Sequence, residues 1–171
     1  MENNNLYPLN TPWCLWYHSI NDTSWNKNSY QLLFTINNIY DMKSVNNILK
    51  SHHLQNGMFF LMREGIFPTW EDPDNRSGSC ISFKISGSKL LVNWVFIVER
   101  VLTEDILKEP EKYEEINGIS ISPKKEFNIC KIWLRNYDQN YKEYLKEYTP
   151  NFDYSRACLL YTSPSPRDKR Q

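Results

Sequence analysis

Short runs rich in aromatic and β-branched residues recur along the chain: WCLWY at 13–17, QLLFTI at 31–36, MFFLM at 58–62, SCISFKI at 79–85, GISIS at 118–122 and NICKIWL at 128–134. Such runs predict strands. Cys80, Ser82 and Lys84 alternate with Ile81, Phe83 and Ile85, the period of an antiparallel sheet with one covered face. Three intervening stretches carry a helical period instead. Met42, Val45, Ile48 and Leu49 form the first apolar stripe; Leu91, Trp94, Val95, Val98 and Leu102 the second; Tyr137, Tyr141, Tyr144, Leu145 and Tyr148 the third. Strands and helices interleave without a βαβ rhythm. The expected fold is α+β, a curved antiparallel β-sheet with three helices packed on one face.

Turn-forming residues mark two long loops, 21–29 and 66–79, and each places a tryptophan among polar neighbours. Trp13, Trp16 and Trp94 sit in apolar runs and are expected in the core. Trp25 and Trp70 are different, because a large ring in a polar loop gains little unless something packs on it. Glu71 follows Trp70 directly, and a carboxylate accepts two parallel N–H bonds. Two loop indoles and a carboxylate make a socket for a flat cationic ring that carries N–H donors. Stacking a base on an aromatic contributes about 1–3 kcal/mol, and a cationic ring between indoles adds roughly 2 kcal/mol once desolvated.

Charge and motif content narrow the other possibilities. Lys plus Arg and Asp plus Glu each number 20, so the net charge is zero and the broad basic face of a protein that grips long nucleic acid is not expected. Any nucleic-acid partner has to be small or locally held. No run of about 20 apolar residues suggests a membrane span, and the polar start has neither the basic nor the apolar region of a signal peptide. A soluble intracellular protein is expected, in the cytoplasm or also the nucleus. Cys14, Cys80, Cys130 and Cys158 are isolated and His52 and His53 adjacent, which predicts neither a metal site nor a disulfide framework. No Gly-rich phosphate loop or nucleophile elbow is present. Asp22, Glu64, Glu71, Asp72 and Asp74 offer carboxylates for glycoside cleavage, but in polar loops the simpler expectation is solvated acids. No enzyme activity and no cofactor are expected.

These residues resemble the mRNA cap-binding family, eukaryotic translation initiation factor 4E. The resemblance covers about residues 6–157 and rests on Tyr7-Pro8-Leu9, Trp13-Cys14-Leu15-Trp16-Tyr17, Trp25, the Gly65–Asp72 run GIFPTWED, and Ile132-Trp133. It implies that the helices lie on the convex face of the sheet. It also implies that Trp25 and Trp70 sandwich the 7-methylguanine of the cap, that Glu71 accepts from its Watson–Crick edge, and that Trp133 touches the N7-methyl group. Lys124 and Lys125, between two expected strands, are candidates to hold the phosphates as point charges; the resemblance places the family's basic triphosphate positions on Lys124, on Glu126 beside Lys125, and on Ile129, so a depleted phosphate clamp is expected. A scaffold initiation factor of the 4G type, or a 4E-binding protein, would dock on the helical face at Tyr7, Pro8 and the first helix. There the family's Val-x-x-Phe-Trp stretch appears as Met42 to Asn46, and Asn46 removes an anchoring indole. Cap binding in translation initiation is therefore the expected function. The alternatives are a cap-binding repressor that recruits no scaffold and, from another class, a carbohydrate-binding protein with tryptophan platforms.

Composition breaks at residue 158. The segment Cys158 to Asp168 resembles one reading frame of a transposase adapter used in preparing sequencing libraries, so 1–157 is expected to be the cap-binding domain and 158–171 a non-native tail. Without that tail the net charge falls from zero to −2. NFDYSRA at 151–157 resembles the family's final strand, and the family continues some tens of residues beyond it.

Overall fold

The structure is a computed structural model that describes residues 7–146 and 157–162. Among these residues seven strands form one antiparallel sheet: Pro8–Ser19 (β1), Tyr30–Asn38 (β2), Gly57–Arg63 (β3), Ser79–Ser86 (β4), Ile116–Pro123 (β5), Phe127–Leu134 (β6) and Cys158–Tyr161 (β7). Their spatial order is β2-β1-β3-β5-β6-β4-β7. The four helices are Ile39–Ile48 (α1), Ser51–Asn56 (α2), Leu90–Leu102 (α3) and Tyr141–Tyr144 (α4). The α+β class and the six strands read from the sequence are as expected, and β7 lies in the segment expected to be a tail.

The helix count differs. Residues 51–56 form α2, which buries only Leu54 and so leaves no stripe to read. The third expected helix shrinks to the single turn α4, since Leu145 turns away to bridge Leu107 and Tyr137 stacks on Tyr161 at 4.2 Å. Tyr148 and residues 151–156 lie outside the described residues, as does the tail from Ser163 onward.

Strand alternation assigns the two faces of the sheet. Trp13, Leu15, Phe59, Leu61, Ile81, Phe83, Ile85, Ile119, Ile121, Cys130, Ile132 and Leu134 turn to one side, where they pack with Met42 and Val45 of α1, Leu54 of α2, Trp94, Ile97, Val98 and Val101 of α3, and Tyr141 of α4. This is the core on the convex face. The opposite, concave face carries a second, smaller cluster of Phe60, Met62, Ile66, Cys80 and Trp133, with Trp16, Tyr30 and Met58 beside it. Both faces of the central strands are thus covered, so Cys80, expected on an open face, is buried.

Two details hold the sheet together at its centre. Gly118 on β5 faces Met62 on β3, where a Cβ would come within 2.4 Å of the Met62 sulfur and 2.5 Å of the Leu61 carbonyl; only glycine permits that approach. Next to it, Arg63 is nearly buried with its guanidinium over Trp13 at 4.6 Å and over Tyr113 at 4.9 Å, and it donates to Ile116 O, Thr11 Oγ1 and Tyr113 O. The burial lowers its pKa, but three donated bonds and two ring faces compensate the desolvated cation.

Candidate functional site

On the concave face the two long loops meet over the smaller cluster. The loop after β1 brings Trp25, the loop after β3 brings Trp70 and Glu71, and between them opens a cleft of about 280 Å³. Its floor is Phe60 and Met58 of β3, Ser120 and Ser122 of β5, and Lys131 and Trp133 of β6. Trp25 is 53% exposed and Trp70 38% exposed, whereas Trp133 is only 8% exposed. The two loop indoles therefore stand partly exposed at the mouth. Trp133 forms the base of the cleft, its indole N–H donating to Ser120 Oγ at 2.9 Å.

Each loop is fixed by its own polar residues. In the first, the Asp22 carboxylate accepts from Ser24 N at 2.8 Å, and Asn26 Oδ1 accepts from Asn28 N and Ser29 N, capping a short 3-10 turn. The ring of Trp25 lies flat on His18 of β1, centroids 4.0 Å apart and planes 3° from parallel. In the second, Asp72 accepts from Phe67 N and Asp74 N, both at 2.9 Å. Fully buried Asn75 donates to Phe67 O at 3.0 Å and Thr69 O at 2.9 Å. Asn117, also fully buried at a β5 irregularity, donates to Asp74 O and to Asn75 Oδ1. Asp72 is thus a loop organiser, where the sequence suggested a solvated acid.

Burial keeps two titratable groups of this face in their neutral forms. Burial, and next the charge of Glu71, push the Tyr30 hydroxyl up to about 12, which keeps it a neutral wall. Burial pushes the Cys80 thiol up to about 11, so it is no thiolate nucleophile at neutral pH. Among the described residues no group of three or more His, Cys, Asp or Glu is placed to hold a metal ion, and no helix is long and apolar enough to cross a membrane. A cleft with two partly exposed indoles, one acceptor carboxylate and one ammonium fits a flat cationic ring bearing N–H donors and an anionic extension.

The family model described as eukaryotic initiation factor 4E matches residues 8–153. The chain belongs to the eukaryotic initiation factor 4E family. Among curated members it is similar to the eukaryotic translation initiation factor 4E homolog of Acanthamoeba polyphaga mimivirus, with 34% identity over 90 residues that span 53% of this chain and 33% of the homolog. It is 28% identical to eukaryotic translation initiation factor 4E of Candida glabrata over 143 residues, 78% of this chain and 65% of that one. The chain thus spans between a third and two thirds of these relatives' length. A solved schistosome eIF4E complexed with m7GpppA and 4E-BP shares the fold with a TM-score of 0.71 at 17% identity, over 80% of this chain and 76% of that one.

Within this 4E-family fold the residues singled out from the sequence separate into groups. Trp25, Trp70, Glu71 and Trp133 all line the one cleft. Lys124 and Lys125 do not line it; they lie exposed at the tip of the β5–β6 hairpin, closed by Lys124 N donating to Phe127 O at 2.8 Å. Lys131 lines it instead, paired with Ser120 on β5 and Ser82 on β4. The hairpin tip lies beyond the Pro123–Asn128 pair, on the order of 10 Å further along the strands. Lys131 escaped the sequence reading because in NICKIWL it is one polar position of an alternating strand, and only the fold says which face is the floor. On the helical face Tyr7 and Pro8 are exposed, Tyr7 with its ring 6.3 Å from Tyr40. Met42 is packed into the core, and Asn46 is half-buried.

Proposed function

We propose that this chain binds the 7-methylguanosine cap of mRNA without catalysing a reaction, and that it serves translation initiation in the cytoplasm. One observation carries the reading: Trp25, Trp70, Glu71 and Trp133, far apart in sequence, line one cleft. The methylated base enters between the two loop indoles, where its fixed positive charge faces electron-rich rings on both sides. Glu71 accepts from the N1 and N2 edge of guanine, a donor pair that adenine lacks. Trp133 at the base of the cleft meets the N7-methyl group. The test is quenching of tryptophan fluorescence by 7-methyl-GTP against GTP. The methylated nucleotide is expected to bind at least tenfold tighter, since the charge is worth roughly 2 kcal/mol in such a slot. Equal affinities would overturn the reading and favour a tryptophan platform for uncharged rings such as sugars.

Lys131 takes the phosphates in this reading, as the cation that lines the cleft, while Lys124 and Lys125 act from the hairpin tip at longer range. Lys131→Ala is expected to weaken 7-methyl-GTP binding by about tenfold and to reduce the slope of log affinity against log salt by about one. Lys124→Ala should shift affinity by less than threefold at 0.15 M salt, near the Debye length. Titrations at several salt concentrations separate the two, and an unchanged slope for Lys131→Ala would move the phosphates elsewhere. The schistosome relative was solved with 4E-BP, which supports a similar partner here. That partner would be a helical peptide with tyrosine and leucine anchors on the face of Tyr7 and Pro8.

A further inference from the structure

The chain is neutral as a whole, yet one strip of its concave face is basic. Along the paired strands β4 and β6, Cys80 stands opposite Trp133, Ser82 opposite Lys131, Lys84 opposite Ile129 and Ser86 opposite Phe127. Cys80 and Trp133 belong to the concave cluster, and every second residue of a strand shares a face, so the later pairs continue that face away from the base of the cleft. From Lys131 to Phe127 the strip runs about 13 Å. It ends beside the β5–β6 hairpin tip, where a Cβ on Gly87 would lie 3.9 Å from Glu126 O. β7 pairs with β4 only as far as Ser82, and Lys84 and Ser86 beyond it are exposed.

The charge of the strip has one sign. Lys84, Lys89, Lys124 and Lys125 are exposed, and half-buried Lys131 lines the cleft. The single acid in the two segments that carry them, 79–89 and 120–131, is Glu126. None of these lysines takes part in an ion pair among the described residues. The Lys84 ammonium sits 4.4 Å over the Phe127 ring instead, a contact that holds the charge over the concave face. Unpaired cations gathered on one strip form the local footprint of a polyanion.

We propose that this strip carries the RNA chain that follows the cap: its backbone phosphates pass from Lys131 over Ser82 to Lys84 and leave beside Lys124 and Lys125. The proposal rests on the cap-binding reading for where the RNA begins. Lys131 belongs both to the cleft and to the strip, so a strand whose first phosphates are held there has the strip as its continuation. Lysine meets a phosphate as a point charge, and the Ser82 and Ser86 hydroxyls add neutral donors. Such contacts position a backbone without reading bases, so single-stranded RNA of any sequence is accepted. A strip this short holds about two phosphates beyond the cap, which a chain of zero net charge can supply without a broad basic face.

The experiment titrates the full chain with 7-methyl-GTP and with capped pentanucleotides of adenylate and of uridylate at several salt concentrations. At about 0.05 M salt both capped RNAs are expected to bind at least tenfold tighter than 7-methyl-GTP, with a slope of log affinity against log salt steeper by about 1.4, from two further phosphates at about 0.7 each. Lys84→Ala should remove about 0.7 of that slope and weaken capped RNA about fivefold, while changing 7-methyl-GTP affinity by less than about twofold. Lys125→Ala, on a hairpin tip outside both apolar clusters, should weaken capped RNA in the same way without touching the core. Capped RNA that binds no tighter than 7-methyl-GTP, or a Lys84→Ala loss of equal size for both ligands, overturns the proposal. So does hexaglutamate that competes as well as an uncapped pentanucleotide, which would assign the strip to an acidic peptide. A protein that does not prefer 7-methyl-GTP over GTP, yet still gains affinity from the RNA chain through Lys84, would overturn the cap reading and uphold the strip.

Discussion

Trp70→Ala is expected to weaken 7-methyl-GTP binding by at least a hundredfold while leaving the unfolding midpoint within about 2 °C of the wild type. The two halves of that outcome come from the same geometry. Trp70 is 38% exposed at the mouth of the cleft and is absent from both apolar clusters, so its removal leaves no cavity, and substitutions away from the core usually stay within about 0.5 kcal/mol. For the ligand the loss is large. It forfeits about 1–3 kcal/mol of stacking on that face and roughly 2 kcal/mol of cation–π attraction, and every 1.4 kcal/mol is about a factor of ten. Glu71, the next residue, loses its registry with the base at the same time. Trp25→Ala should weaken binding similarly, with some added effect on the first loop because Trp25 also covers His18. Fluorescence titration gives the affinity and thermal unfolding gives the midpoint. Binding that survives Trp70→Ala within a factor of three would remove this residue from the site.

How much of this was legible in the chain follows from the range of each interaction. Strands β1 to β6 announce themselves because sheet packing imposes a period of two on neighbouring residues, and α1 and α3 do so because their stripes feed one core. The α2 helix has a single core residue, Leu54, and so no period to detect. The tyrosines at 137, 141 and 144 imitate a helical stripe, yet only Tyr141 is buried in the core, and the chain leaves the helix once that ring is seated. In the site, Trp25, Trp70 and Glu71 are conspicuous because their residue types are costly in polar loops. Lys131, Asn75 and Asn117 were invisible for the opposite reason. Each is an ordinary residue whose role is set by a partner distant in sequence: Asn117 reaches Asn75 across 42 positions, and Lys131 becomes a cleft residue only once β6 is seated between β4 and β5. Likewise Lys124 and Lys125, conspicuous as a basic pair, lie on a hairpin tip that extends past the cleft.

Asn75→Asp should damage stability and binding together, which no substitution at the cleft mouth does. The loop from Ile66 to Gly78 is long, and its own turns leave several inward carbonyls; the Asn75 amide nitrogen crosses the loop to two of them, Phe67 O and Thr69 O. Aspartate has the same shape but replaces that donor with a second acceptor. It would face two carbonyl oxygens at about 3 Å in a position with no solvent exposure. An unpaired charge or acceptor buried in this way costs at least about 3 kcal/mol, which for a chain of this size lowers the melting midpoint by about 6–12 °C. Since Trp70 and Glu71 ride on the segment that those two bonds fasten, affinity for 7-methyl-GTP should fall at least tenfold even at temperatures where the sheet stays folded. Protonating the new carboxyl restores a donor, so the instability should shrink as the pH is lowered toward the ordinary carboxyl range and grow as it is raised. Asn75→Ala, which removes the donor without adding an acceptor, should sit between the wild type and Asn75→Asp on both measurements. An Asn75→Asp protein that melts like the wild type and binds with unchanged affinity would show that the Trp70 loop is held by its turns alone, and that the Asn75–Asn117 pair has no part in shaping the cleft.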